Sequence, residues 1–123
     1  MKKTFQVSLV VDIPAKEIRR LIVAALSGDS DYWIDSYKRV VPLGSAFKGN
    51  SGDLVLEFGG SVSVLELEET TPMHLDSEAV ERGLKLMAEK YPQHMRNFIN
   101  ENDNAETADV FLQCCLFGDI KYS

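Results

Sequence analysis

Residues 53–68 read DLVLEFGGSVSVLELE, and their reading decides the fold. Leu54, Leu56 and Phe58 alternate with Asp53, Val55 and Glu57, the period of a strand with one buried face. Gly59-Gly60 supplies the positive φ angles that a two-residue hairpin turn demands. Ser61 to Glu68 is then the return strand. Its alternation slips between Val62/Val64 and Leu65/Leu67, which predicts a bulge near Val64. A hairpin flanked by helices, without repeated βαβ units, places the chain in the α+β class, as one domain over residues 1–123. The expected architecture is a mixed or antiparallel sheet of about four strands packed by about three to four helices.

Upstream, Phe5, Val7, Leu9, Val11 and Ile13 alternate with Thr4, Gln6, Ser8, Val10 and Asp12, predicting a further strand with one buried face. Pro14 ends it and suits the first turn of a helix. Ile18, Leu21, Ile22, Ala25 and Leu26 fall at helical spacing, and Ser27-Gly28 closes that helix. A short acidic loop leads to Tyr32-Trp33, and Tyr37 to Val41 reads as another strand. The loop 42–52 holds three glycines and faintly resembles a phosphate loop. Asn50 stands where that motif needs lysine, and the expected strand after it offers no helix N-terminus, so a P-loop is rejected.

Downstream, Asp76 is placed to cap a helix over Ser77–Lys90, with Val80, Leu84 and Met87 inward. Gly83 lies on that inner side, and Glu78–Arg82 and Glu81–Lys85 are spaced as ion pairs on the outer face. Tyr91-Pro92 breaks the helix, and a short one follows with Met95, Phe98 and Ile99 inward. The last helix runs from about Glu106 to Phe117, with Asp103 placed as its cap, Glu106 at the third turn position and Gly118 as its stop.

Composition narrows the chemistry. The chain has 123 residues and a net charge of −6, with a pI near 4.8. So few basic side chains disfavour direct nucleic-acid binding and favour a basic partner. Cys114 and Cys115 are adjacent, so on a helix they diverge by about 100° and cannot bridge. They read as buried, inert thiols of a protein in a reducing compartment. The start, MKKTFQVSLVVDIP, superficially resembles a leader. Its apolar run is broken at every second residue, and no small-residue cleavage site follows. No run approaches the roughly eighteen apolar residues of a membrane span. A cytoplasmic protein without membrane attachment is expected. His74 and His94 are the only histidines, and neither has neighbours at metal-ligand spacing; no metal and no cofactor are expected.

Four residues stand out as a candidate ligand or partner site. Asp109 and Gln113 lie one turn apart on the last helix, an acceptor-only carboxylate beside an amide that both donates and accepts. The first reading is a solvent stripe of Glu106, Asp109 and Gln113 on an otherwise apolar helix. The second is a polar site over which the tail, through Ile120 and Tyr122, could fold. Tyr32 and Trp33 read first as a lid on the core and second as the wall of a pocket. No nucleophile–base–orienter set is readable, so no catalytic residue is assigned.

Several segments together carry a resemblance. DYW follows a short loop, a glycine loop precedes an LVLEF-type segment, VERGLKLM opens a helix, and NAETADVFLQCCLFGDIKY closes the chain. In that order they resemble a family of small proteins encoded in phage and prophage genomes of Gram-positive bacteria. The family's closing pattern is similar to D-A-x-x-A-D-x-x-x-Q-x-A-L-F-G-E-x-x-Y. Asn104, Cys115 and Asp119 depart from it mildly, and Asp109 and Gln113 fall on it. The resemblance implies a setting, the cytoplasm of a bacterial host, and assigns no mechanism. Three functions follow as expectations. The first is a non-enzymatic binding protein, for example an anti-defence factor that sequesters a small polar ligand such as a nucleotide or blocks a host protein. The second is an acidic module that occupies a basic, nucleic-acid-binding surface. The third, least favoured, is a small enzyme. A homo-oligomer is compatible with each.

Overall fold

The structure is a computed structural model that describes residues 3–123. Met1 and Lys2, the start of the leader-like stretch, lie outside the described residues. Helix α1 (Ala15–Ala24) runs into a π-helical turn, Ala25–Asp29, and then strand β1 (Ile34–Val40). Helix α2 (Ser51–Glu57), strands β2 (Ser61–Glu66) and β3 (Met73–Leu75), and helices α3 (Ser77–Lys90), α4 (Pro92–Ile99) and α5 (Ala105–Phe117) follow. The sheet is antiparallel in the order β1-β2-β3. The α+β class therefore holds, with three strands where about four were expected and five helices where three to four were expected.

The missing strand is accounted for twice over. Residues 53–58 form α2, not the first arm of a hairpin. Its buried positions are Ser51, Gly52, Leu54 and Val55, the i, i+1, i+3, i+4 spacing of a helix wedged between two neighbours. A reciprocal capping box decides the local conformation: the Asn50 side chain accepts from the Asp53 N–H, and the Asp53 carboxylate accepts from the Asn50 N–H. Arg19 of α1 donates to the same carboxylate at 2.9 Å, tying the two helices together. The glycine pair takes other roles. Gly59 has φ +67° and turns the chain just past the helix end. A Cβ on Gly60 would stand 2.3 Å from Leu54 Cδ1.

The second shortfall is at the start. Residues 3–14 join no strand, and every residue from Lys3 to Asp12 is exposed. The expected strand 5–13 is instead an arm that joins no sheet. The bulge is displaced as well. Val62, Val64 and Glu66 are all buried, so β2 alternates without a slip, and the irregularity falls on β1 between Ile34 and Ser36.

The helices match their expected limits more closely. Asp76 caps α3, accepting from the Ala79 N–H at 2.8 Å. Gly83 lets α3 meet α5 at backbone distance; a Cβ there would lie 2.2 Å from Cys115 Sγ and 2.7 Å from its Cα. Neither expected ion pair is among the salt bridges of the described residues. Arg82 instead donates to the Cys115 carbonyl. In α4, Met95 and Phe98 are buried and Ile99 faces outward. The cap of α5 is Asn104 with Thr107, not Asp103 with Glu106. Asp103 is taken by Arg20 of α1, which grips both its oxygens at 2.6 and 3.0 Å. This grip holds the Asp103 carboxyl below its usual range.

Helix α5 is the axis of the core. Every residue from Thr107 to Leu116 is buried, and α1, α3, α4 and β3 pack around it. Gly118, at φ +78°, ends the helix in the left-handed conformation.

Candidate functional site

A helix with no wet face cannot carry a solvent stripe. Asp109 is 7% exposed and Gln113 is fully buried. The stripe reading is therefore overturned; of its three members only Glu106 meets water. The π-helical turn at the end of α1 positions what satisfies the aspartate. It delivers Ser30, Tyr32 and Trp33 in quick succession to one side of α5. Ser30 Oγ and Trp33 Nε1 donate to Asp109 Oδ1 at 2.7 and 2.8 Å. Tyr32 Oη and Gln113 Nε2 donate to Oδ2 at 2.5 and 3.1 Å. The four residues singled out from sequence thus meet at one carboxylate, held by four neutral donors. Trp33 is 1% exposed, in keeping with its reading as part of the core. Tyr32 is 46% exposed, and its ring stands at the surface.

The amide of Gln113 performs a separate task. Its Oε1 accepts from the N–H groups of Lys121 and Tyr122, both at 2.8 Å. Its Nε2 donates to the Tyr122 carbonyl at 3.1 Å. One side chain therefore meets three backbone groups of the tail, much as a neighbouring strand would. The Tyr122 ring stacks on Trp33 at 5.4 Å and 6°, with Phe117 edge-on to both. At its tip, the Tyr122 hydroxyl donates to Glu66 of β2, and Lys121 Nζ donates to the same oxygen. Burial works to raise the Glu66 carboxyl; the Lys121 and Tyr122 donors outweigh it and leave it below its usual value.

Beside this network lies a hollow of about 470 Å³. Asp29, Glu106 and Asp109 are its three acidic lining residues, and Tyr32 and Tyr122 line it as well. Neither lysine nor arginine is among its lining residues. Burial, reinforced by Asp109 and Asp31, holds the Asp29 carboxyl above its usual range. Burial and the bond to Asp109 push the Tyr32 hydroxyl up to about 12. The lining thus joins carboxylates and tyrosines to apolar residues such as Val110 and Ile120, a setting that suits an amine or guanidinium.

The remaining candidates lie elsewhere. Cys114 and Cys115 are free and buried, and burial pushes the Cys114 thiol up to about 11 and Cys115 well above its usual value. Neither has the depressed pKa of a nucleophile. His94 shares a hydrogen bond with Thr107 Oγ1, and His74 is exposed on β3. Among the described residues, no group of three or more His, Cys, Asp or Glu side chains is arranged to hold a metal. The glycine loop does lead into a helix, contrary to expectation, but Asn50 still stands in place of the lysine, and the capping box takes the Asp53 amide of α2.

Sequence reasoning missed Ser30 and Glu66, which are remote in the chain and carry no local signal. Tyr122 was legible as part of the tail that folds over Gln113. Comparison with protein-family models, with curated proteins and with solved structures gives no match.

Proposed function

We propose that this chain is a non-enzymatic binding protein, a phage or prophage accessory factor acting in a bacterial cytoplasm. On this reading it blocks a host protein by receiving one of that protein's basic side chains in the hollow beside Tyr32. The observation that carries the reading is the charge of the lining: besides the engaged Asp109, the Asp29 and Glu106 carboxylates stand with two tyrosines, and no basic residue is among the lining residues. A nucleotide phosphate would meet like charge there, whereas an arginine would meet carboxylates and an aromatic face. The reading thereby joins the blocking role to that of an acidic module, and sets it above nucleotide sequestration. The inert thiols and the fully engaged Asp109 carboxylate support binding over catalysis.

The test is an amide-resolved NMR titration with an oligoarginine peptide and, separately, with ATP. The peptide should shift Tyr32, Glu106 and Ile120 and lose its effect in high salt. Glu106→Gln, an exposed change, should weaken it. Peptide shifts scattered over the whole surface, or ATP shifts confined to the hollow, would overturn the assignment.

A further inference from the structure

The chain carries an unpaired segment with the alternation of a strand and, at β1, an exposed sheet edge. Phe5 to Val11 belongs to no helix or strand of the protomer and carries apolar side chains at every second position. Phe5, Val7 and Leu9 are about four-fifths exposed. Such alternation belongs to a strand lying on an apolar layer, yet within the protomer every residue from Lys3 to Asp12 stays exposed. Of the two edge strands β1 and β3, β1 is the longer and the more exposed. It stands at the end of the sheet order and pairs only with β2. Past Ile34, each of its residues is exposed, an unusual state for a seven-residue strand beside a core.

The register shows how the two fit. Tyr37 and Arg39 lie opposite Val64 and Val62, which are fully buried, so the core face of the sheet ends at β1 with Tyr37 at its margin. A strand added to β1 with its apolar side chains on that face would continue the layer. Phe5–Val11 is seven residues long, as is β1. The polar side of the arm, with Asp12, would then fall on the face of β1 that carries Lys38. Arg39 is already occupied, donating to Ser51 Oγ at 3.0 Å.

The arm's own edge lies elsewhere. Its last residues, Leu9 to Ile13, run beside Leu84, Met95 and Ile99 of α3 and α4. The strand that packs on α3 is β3, at the opposite end of the sheet from β1. Two copies resolve both deficits at once, because under two-fold symmetry each supplies the strand that the other lacks. We propose that the chain forms a homodimer by arm exchange, in which residues 5–11 of each protomer extend the sheet of its partner along β1. This inference is independent of the charge of the hollow.

Sedimentation over a dilution series and intermolecular paramagnetic relaxation test it. A nitroxide on Val10→Cys marks the arm; the two native thiols are buried and stay unlabelled. Mixed with ¹⁵N-labelled chains, it should broaden the amides of residues 35–40. Val7→Lys with Leu9→Lys should abolish the dimer while leaving the circular dichroism of the fold unchanged. A monomer at every concentration would overturn the proposal. So would broadening confined to α3 and α4, or broadening of β1 only when label and isotope share a chain.

Discussion

The two ends of the chain both carry apolar side chains at alternate positions, both lie outside helix and sheet, and are opposite in fate. The tail, residues 119–123, is clasped: Gln113 holds its backbone, Trp33 its aromatic ring and Glu66 its charged tip. The arm, residues 3–13, has Phe5, Val7 and Leu9 at the same kind of spacing and touches little. Apolar content does not separate them. What the tail has and the arm lacks is a set of internal polar groups matched to its backbone. Hydrophobic burial is non-directional, and it is the hydrogen-bonding side chains that fix which segment docks where.

The contrast can be broken most severely at its anchor. Asp109→Ala would leave the Ser30, Tyr32, Trp33 and Gln113 donors without their acceptor, and should cost about 3 kcal/mol in urea unfolding. A loss below about 1 kcal/mol would mean that the carboxylate is incidental to the clasp. Adding Gln113→Ala should cost less than the sum of the two changes, since they share one network. Next in size is Gly83→Ala, on the far side of α5. Its methyl group would meet the Cys115 backbone, and about 2 kcal/mol should be lost, read as a lower urea midpoint.

Smaller still is a pH effect at the tail. The Glu66 carboxyl is depressed in the folded chain relative to its ordinary value of 4.5. Its stabilisation is therefore present above about pH 4.5 and is lost as the pH falls through the lower folded value. Glu66→Gln should flatten the acid limb of the stability curve, whereas a variant with an unchanged limb would show that the tail is held by its ring alone. The arm defines the bottom of the scale. Val7→Ser should move the stability of the dilute protomer by no more than about 0.5 kcal/mol, and a larger loss would reveal packing of the arm within its own chain.

The helices were legible because their limits are local. Asp76, Gly118 and the Tyr91-Pro92 break each act within a turn or two of themselves. The site was half legible. Asp109 and Gln113 stood out as polar residues on an apolar helix, but whether such a pair faces water depends on what surrounds the helix. The narrowness of the apparent stripe was the available clue that α5 is enclosed. The segment 53–58 misled because its short apolar run Leu54-Val55-Leu56 fits a helix or a strand, and the deciding residue, Asn50, lay outside that run. The arm misled in the opposite direction. Its alternation is that of a strand, and no local pattern can report whether a sheet has room for it.

Trp33 is the chain's only tryptophan, and its indole is covered on one side by Tyr122 and edged by Phe117. The protein therefore carries a native optical probe at the clasp and none at the arm. Intrinsic fluorescence should register the instant at which the tail closes, an event that requires the π-helical turn, β2 and α5 to be already assembled. A stopped-flow trace at tryptophan wavelengths would thus time the completion of the fold, while dimerisation through the arm would pass unseen.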